Sequence, residues 1–192
     1  TVVPATEYDW YSAAVPADHP NIGAKSVVVW ASNQNDPQTV TVPGAQTPAE
    51  DTAFTFSAAN GNGIQISDVE SDVFKLPVTL TLTVTHGVLD VGAQTGVTIT
   101  GSGTATVTLV GTAADIQSRL DAGFTYTGKS QFNDTDTLTV TLTEGQAAIG
   151  GDVGSGSVAN APVTRTVALD LIAVDDQATV TMPGAPVAVA GG

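Results

Sequence analysis

The chain of 192 residues contains no cysteine, so disulfides play no part in its fold. At this length a hydrophobic core can form without such staples. No apolar run approaches the ~18 residues that a membrane-spanning helix needs, so no membrane insertion is expected. The chain opens on Thr1 with no basic-then-apolar leader, and any targeting signal is expected outside it. Basic residues are scarce: five Lys and Arg face 19 Asp and Glu, a formal charge of -14. Phosphate contacts require Lys and Arg, so nucleic acid is a poor partner, and an anionic membrane is poor for the same reason. Catalytic parts are also few. There are two histidines, His19 and His86, and neither a Gly-x-Ser-x-Gly elbow nor a His-Glu-x-x-His pair. No enzyme is expected.

Threonine and aliphatic residues are abundant, and they alternate. Residues 78–85, 104–110 and 137–143 each place aliphatics on one face and threonines on the other, the period of a half-buried strand. Shorter strand signals occur at 39–42, 52–57, 64–67, 88–91, 97–100, 124–127 and 165–174. Turn signals punctuate them. His86-Gly87 has the look of a tight hairpin, and Asn60-Gly61-Asn62-Gly63 and Gly101-Ser102-Gly103 supply residues that accept positive φ. Many short antiparallel strands imply an all-β sandwich. One helix is expected: Thr112 as N-cap, Asp115 at N3, Ile116 and Leu120 four apart, Gly123 as the stop. It reads as a short crossover within the β-fold. Residues 146–162 are rich in Gly, Ser and Ala and are expected to form a long surface loop.

The chain also echoes itself at an offset of 140 residues. Residues 25–45 align without a gap on 165–185, with eight of 21 positions identical, including Thr39-Val40-Thr41 against Thr179-Val180-Thr181 and Pro43-Gly44-Ala45 against Pro183-Gly184-Ala185. Asn35-Asp36 meets Asp175-Asp176. A unit that restarts in this way is expected to belong to an array. The expected division is 1–34 as the tail or last strand of a preceding unit (or an extra strand on the main domain), 35–175 as one full repeat, and 176–192 as the start of the next.

Six motifs follow one order: Pro48-Ala49-Glu50-Asp51-Thr52; Ile66-Ser67-Asp68-Val69-Glu70-Ser71-Asp72; Gly87-Val88-Leu89-Asp90-Val91; Gly111-Thr112-Ala113-Ala114-Asp115-Ile116; Phe124-Thr125-Tyr126-Thr127 with Phe132-Asn133-Asp134-Thr135-Asp136; and Ala173-Val174-Asp175-Asp176. Together they resemble the cadherin-like repeat of giant bacterial surface and biofilm adhesins secreted by type I machinery. The resemblance spans roughly 35–176. Two departures stand out: Asn35-Asp36-Pro37 becomes Asp175-Asp176-Gln177 at the second junction, which puts its stiffness in doubt, and Asp134 stands where the family often has glycine. What the resemblance implies is a calcium-binding Greek-key sandwich of the cadherin/Ig-like kind, strung end to end, with ions at or near the junctions.

The carboxylates make the same suggestion independently. Asp68, Glu70 and Asp72 alternate, either along one side of an extended segment or wrapped around a turn. Asp134 and Asp136 do likewise before a strand, Glu50 precedes another, and Asp36, Asp175 and Asp176 mark the repeat boundaries. Calcium takes six to eight oxygens, mostly carboxylate and carbonyl. Two carboxylates ~4 Å apart at a protein surface repel by ~4 kcal/mol, so a converged set requires a cation. The alternative is that these acids are caps, turn formers and solvated surface. An EF-hand is excluded, since Val73 and Thr79 stand where its glycine and closing glutamate belong. Tyr8, Trp10 and Tyr11, beside Glu7 and Asp9, suit sugar stacking or, alternatively, burial against the sandwich or a neighbouring unit.

The expected protein is thus a calcium-stiffened, non-catalytic spacer in an extracellular adhesin on a bacterial cell surface, with neighbouring repeats of its own chain as partners. Two further readings remain open. One is a filament or surface-layer subunit that exchanges terminal strands with identical copies. The other is a matrix protein that binds polysaccharide.

Overall fold

The computed structural model describes residues 35–145 and 160–175 in full, and 8–12 and 29–33 as backbone strands. The elements run β1 (Tyr8–Ser12), β2 (Val29–Asn33), β3 (Thr39–Thr41), β4 (Phe54–Phe56), β5 (Gln65–Ser67), α1 (Val69–Phe74), β6 (Val78–Thr83), β7 (Gly87–Asp90), β8 (Thr98–Thr100), β9 (Thr106–Gly111), α2 (Ala113–Ala122), β10 (Phe124–Gly128), β11 (Thr135–Glu144) and β12 (Val163–Asp170). The alternating Thr/aliphatic runs become the centre of the largest sheet, of order β12-β11-β6-β9-β8, antiparallel throughout. Opposite it lies a three-stranded sheet, β4-β10-β7, and β3 pairs with β5. Sequence neighbours seldom pair, and the chain crosses repeatedly between sheets, as in Greek-key connections.

One core joins these layers. Leu80, Leu82, Leu109, Leu138, Val140 and Leu142 come from the large sheet, and Phe56, Leu89, Phe124 and Tyr126 from the smaller one. Ile116 and Leu120 of α2 cap the open side. Period two is strict along β6 and β11, so a slip of one residue would expose every leucine in them. Phe56 stacks on Phe124 at 5.1 Å. The architecture is therefore an all-β sandwich, as the alternation predicts. Its outer strand β12 is not left bare. Residues 46–49 run parallel to it, with Gln46 N–H donating to Ala168 O and Ile172 N–H to Pro48 O, each at 2.9 Å. That closes an edge open to pairing with another chain.

The helix α2 follows expectation. Thr112 Oγ1 accepts from Asp115 N–H at 3.2 Å and donates to Asp115 Oδ2 at 2.8 Å, while Gly123 ends the helix with φ of 101°. It carries the chain from the large sheet to the small one, so it is a crossover.

Two features differ from expectation. His86-Gly87 does not close a hairpin: β6 pairs with β9 and β11, whereas β7 pairs with β10 in the other sheet. The segment is an inter-sheet crossing. Glycine is needed at 87 because a Cβ there would lie 2.5 Å from the Tyr126 ring. A second short helix, α1, occupies 69–74, where alternating acids suggested an extended segment or a turn. The aromatic N-terminal segment, for which a strand was among the expectations, forms β1, which pairs antiparallel with β2 in a two-stranded sheet. Most of the expected 146–162 loop lies outside the described residues, as does Asp176.

Leu138 is fully buried in mid-sheet. Leu138→Ala is expected to cost about 2–5 kcal/mol, read as a lower urea midpoint with an unchanged m-value.

Candidate functional site

The acidic residues sort to two ends of the sandwich. β11 fixes the distance: Thr135 faces Asp170 at one end, and Glu144 faces Val78 at the other. Its ten residues span about 30 Å, so no single ion can join both groups.

At the Glu144 end stand Asp36, Asp68, Glu70 and Asp72. The three alternating acids diverge, because the helix turns them in different directions. Asp68 is the N-cap of α1, its Oδ1 accepting from Ser71 N–H at 2.6 Å. Glu70 turns inward, and its Oε1 accepts from Asp36 N–H at 3.0 Å. Asp72 reaches α2 and accepts from Ala114 N–H at 2.8 Å. Ser71 Oγ accepts from Ala113 N–H at 2.8 Å and donates to Leu76 O. The first two N–H groups of α2, which no helical carbonyl can satisfy, are thereby capped by α1.

A small hollow opens here, lined by Asn35, Asp68, Glu70, Ser71, Pro77 and Glu144 among others. Asp68 and Glu70 are each 4 % exposed, and Glu70 Oε2 is buried with no hydrogen-bond partner. Burial raises the Asp68 carboxyl above its usual range, with the charges of Glu144 and Asp72 adding to the effect. Burial likewise raises Glu70, with Asp36 and Asp68 adding. The hydrogen bonds from Ser71 and Asp36 oppose these shifts without cancelling them. Glu144 was not anticipated from the sequence. Its Oε2 accepts from Asn35 Nδ2 at 2.7 Å and Asn160 N–H at 2.9 Å, and its Oε1 from Asn160 Nδ2 at 3.0 Å. The clue was its place as the last residue of an alternating run, directly before Gly145.

At the opposite end stand Glu50, Asp134, Asp136 and Asp175. Asp136 is 1 % exposed and saturated: Thr85 N–H (3.0 Å), His86 N–H (2.9 Å), Thr137 N–H (2.7 Å) and the Tyr126 hydroxyl (2.9 Å) all donate to it. It holds the inter-sheet crossing in place. Burial, reinforced by this carboxylate, pushes the Tyr126 hydroxyl far above its ordinary pKa. His86 stacks on Phe132 at 4.0 Å, its Nδ1 3.8 Å from Asp136 Oδ1. Glu50 Oε1 accepts from Val174 N–H at 2.9 Å, while its buried Oε2 has no hydrogen-bond partner. Asp134 and Asp175 are exposed, and Asp134 Oδ1 accepts from Thr135 N–H.

Among the described residues no group of three or more acidic or histidine side chains stands in a metal-holding array. The donor chemistry at the Glu144 end nevertheless suits a hard cation: carboxylates share one hollow, and one buried oxygen has no hydrogen-bond partner. Ion binding there requires Glu144 to turn from its asparagine partners and the carboxylates to draw together. The strand β1 carries Tyr8, Trp10 and Tyr11 in its backbone register, and their side chains lie outside the described residues.

No family model and no curated protein matches the chain. One solved structure to which it is similar is the sixth cohesin of scaffoldin B from Acetivibrio cellulolyticus, crystallised in complex with a mutant Cel5 dockerin. The identity is 10 %, the TM-score is 0.38, and the likeness covers 70 % of this chain and 97 % of that one.

Asp136→Asn is expected to cost about 2–3 kcal/mol, since an amide turns a donor toward donors. A lower urea midpoint checks this. Glu70 gives a pH signature. Its folded pKa is raised, so its contribution to stability is fullest below the unfolded value and is lost as pH rises through the folded one. In chelator, Glu70→Gln should therefore be more stable than the parent at neutral pH, and the gap should close near pH ~4. Parallel unfolding curves across that range would contradict it.

Proposed function

We propose that the chain is a non-enzymatic structural repeat of a large extracellular adhesin on a bacterial cell surface, with calcium bound at the Glu144 end of the sandwich. The observation that carries this reading is the buried Glu70 Oε2, without a hydrogen-bond partner in a hollow shared with Asp68 and Glu144. A buried carboxylate oxygen without a donor is costly, and a cation relieves both that cost and the mutual repulsion. Asp68, Glu70 and Glu144 would hold the ion, with Asn35 and Asp36 beside them. The ion would supply charge neutralisation and a bridge between α1, the end of β11 and the segment entering the sandwich.

The position of this hollow supports a role at a junction. Asn35-Asp36 lies on the repeat boundary, and 35–174 is one 140-residue period of the echo. Asp175-Asp176 would then present the same boundary to the following unit. In this reading 1–34 contains the end of a preceding unit, 35–175 is the repeat, and 176–192 begins the next. Neighbouring repeats are the partners, and the task is mechanical: to hold a distal binding region away from the cell.

The test is a thermal melt and small-angle scattering, first in chelator and then in calcium. Extracellular calcium modules bind at ~0.1–1 mM, so a tenfold excess adds about 1.4 kcal/mol per site. The parent should melt higher and scatter as a straighter particle in calcium, and Glu70→Gln should lose the melting shift. A parent unaffected by calcium in both measurements ends the proposal.

A further inference from the structure

The segments that enter and leave the sandwich run side by side in the same direction. At the Glu144 end, Asn160 Nδ2 donates to Asp36 O at 3.0 Å and Gln38 Nε2 to Ala161 O at 3.2 Å. Further along, residues 46–50 and 168–174 form a parallel ladder. Its backbone rungs are Gln46 N–H to Ala168 O, Asp170 N–H to Gln46 O, Ile172 N–H to Pro48 O and Glu50 N–H to Ile172 O, each 2.9 Å. Pro48 has no N–H and only accepts, which a strand at the margin of a sheet tolerates.

The evenly spaced pattern of a parallel pair calls for one more rung, from Val174 N–H to the backbone carbonyl of Glu50. The chain turns just after Glu50, where Asp51 has φ of 56°, and the Glu50 side chain provides the rung instead. Its Oε1 accepts from Val174 N–H at 2.9 Å. Glu50 is 4 % exposed, so little water competes for that donor. A carboxylate is also a stronger acceptor than a peptide carbonyl.

Direction gives this ladder a use. The chain enters at Asn35, bonded to Glu144, and leaves past Val174, bonded to Glu50 at the opposite end. Tension between those points drags two parallel strands in opposite senses along their own axes. Rungs that lie across such a pull share it and must break together, whereas rungs opened from one end break singly. We infer that the 46–50/168–174 ladder is a shear clamp that keeps the sandwich folded under tension, and that the Glu50 carboxylate is its last rung. The tension rests on the proposed place of the chain in an array. The clamp contains none of the residues around the Glu144 hollow, so it stands or falls without calcium.

The test is single-molecule force spectroscopy of the full chain in chelator. The sequence has no cysteine, so introduced ones set the points of attachment. Pulled through its two ends, the chain loads the ladder in shear. Pulled through Thr52→Cys and Asp175→Cys, both exposed and at one end of the ladder, it is unzipped. The sandwich should unfold much more slowly in shear than in unzipping at the same force. Glu50→Ala should speed shear unfolding about tenfold, the effect of one hydrogen bond to a charged group, and leave unzipping little changed. Glu50→Gln keeps an acceptor and should restore most of the resistance. Ile172→Pro is the second variant: its side chain is 56 % exposed, and the substitution removes one backbone rung without touching the core. It too should speed shear unfolding. Equal rates in the two pulling directions overturn the inference. So do variants that speed both directions alike, because a general loss of stability has no direction, and so do unchanged shear rates in both Glu50→Ala and Ile172→Pro.

Discussion

The structure depends on carboxylates that receive backbone N–H groups where strands and helices end. A sandwich whose chain crosses repeatedly between sheets breaks many ladders at its two ends, and each break leaves donors without partners. This chain meets them with acids. Asp136 takes two N–H groups at the crossing from β6 to β7 and a third from Thr137 beside it, Asp68 and Asp72 take the first turns of α1 and α2, Glu70 takes Asp36, Glu50 takes Val174, and Glu144 takes Asn160. Charged acceptors form stronger hydrogen bonds than neutral ones. The concentration of acid at strand ends is thus in large part a capping system, and the strongly negative charge is partly its consequence.

That system is balanced at Asp136 and strained at Glu70. At Asp136 both carboxylate oxygens are matched by donors. Around Glu70 three carboxylates border one hollow, two have raised proton affinity, and one oxygen is left without a hydrogen-bond donor. Desolvation is the largest cause at both Asp68 and Glu70; backbone hydrogen bonds oppose it, and neighbouring charge adds to it more weakly. A region built in this way is relieved by added positive charge, and protonation supplies it. In the proposed function a calcium ion would supply it too, and the location at the segment entering the sandwich would give that binding a mechanical effect.

The strands were legible because threonine and aliphatic residues alternate so regularly that only one face of each can be buried. The three longest runs became β6, β9 and β11, and α2 was legible from Thr112, Asp115 and Gly123. The same signals misled at His86-Gly87, where a glycine between two strands serves a change of sheet. Its small size is required by the Tyr126 ring, a neighbour 39 positions away that no local pattern reveals. The helix α1 was masked because Asp68-x-Glu70-x-Asp72 has the spacing of a strand, while its N-cap is one of the acids themselves. Glu144 was passed over because a lone glutamate at the end of a strand carries no motif, and Asn35 and Asn160 mark it only once the chain has folded.

By itself the sequence determined the class of fold, the register of each strand face and the identity of the residues available at strand ends, because period and cap chemistry are local properties. Only the tertiary structure decided which acids meet. It divided them between two ends about 30 Å apart, sent three alternating carboxylates in three directions, and brought Glu144 to Glu70 across 74 positions. Convergence depends on which sheet each strand joins, and that is settled by the packing of the whole core.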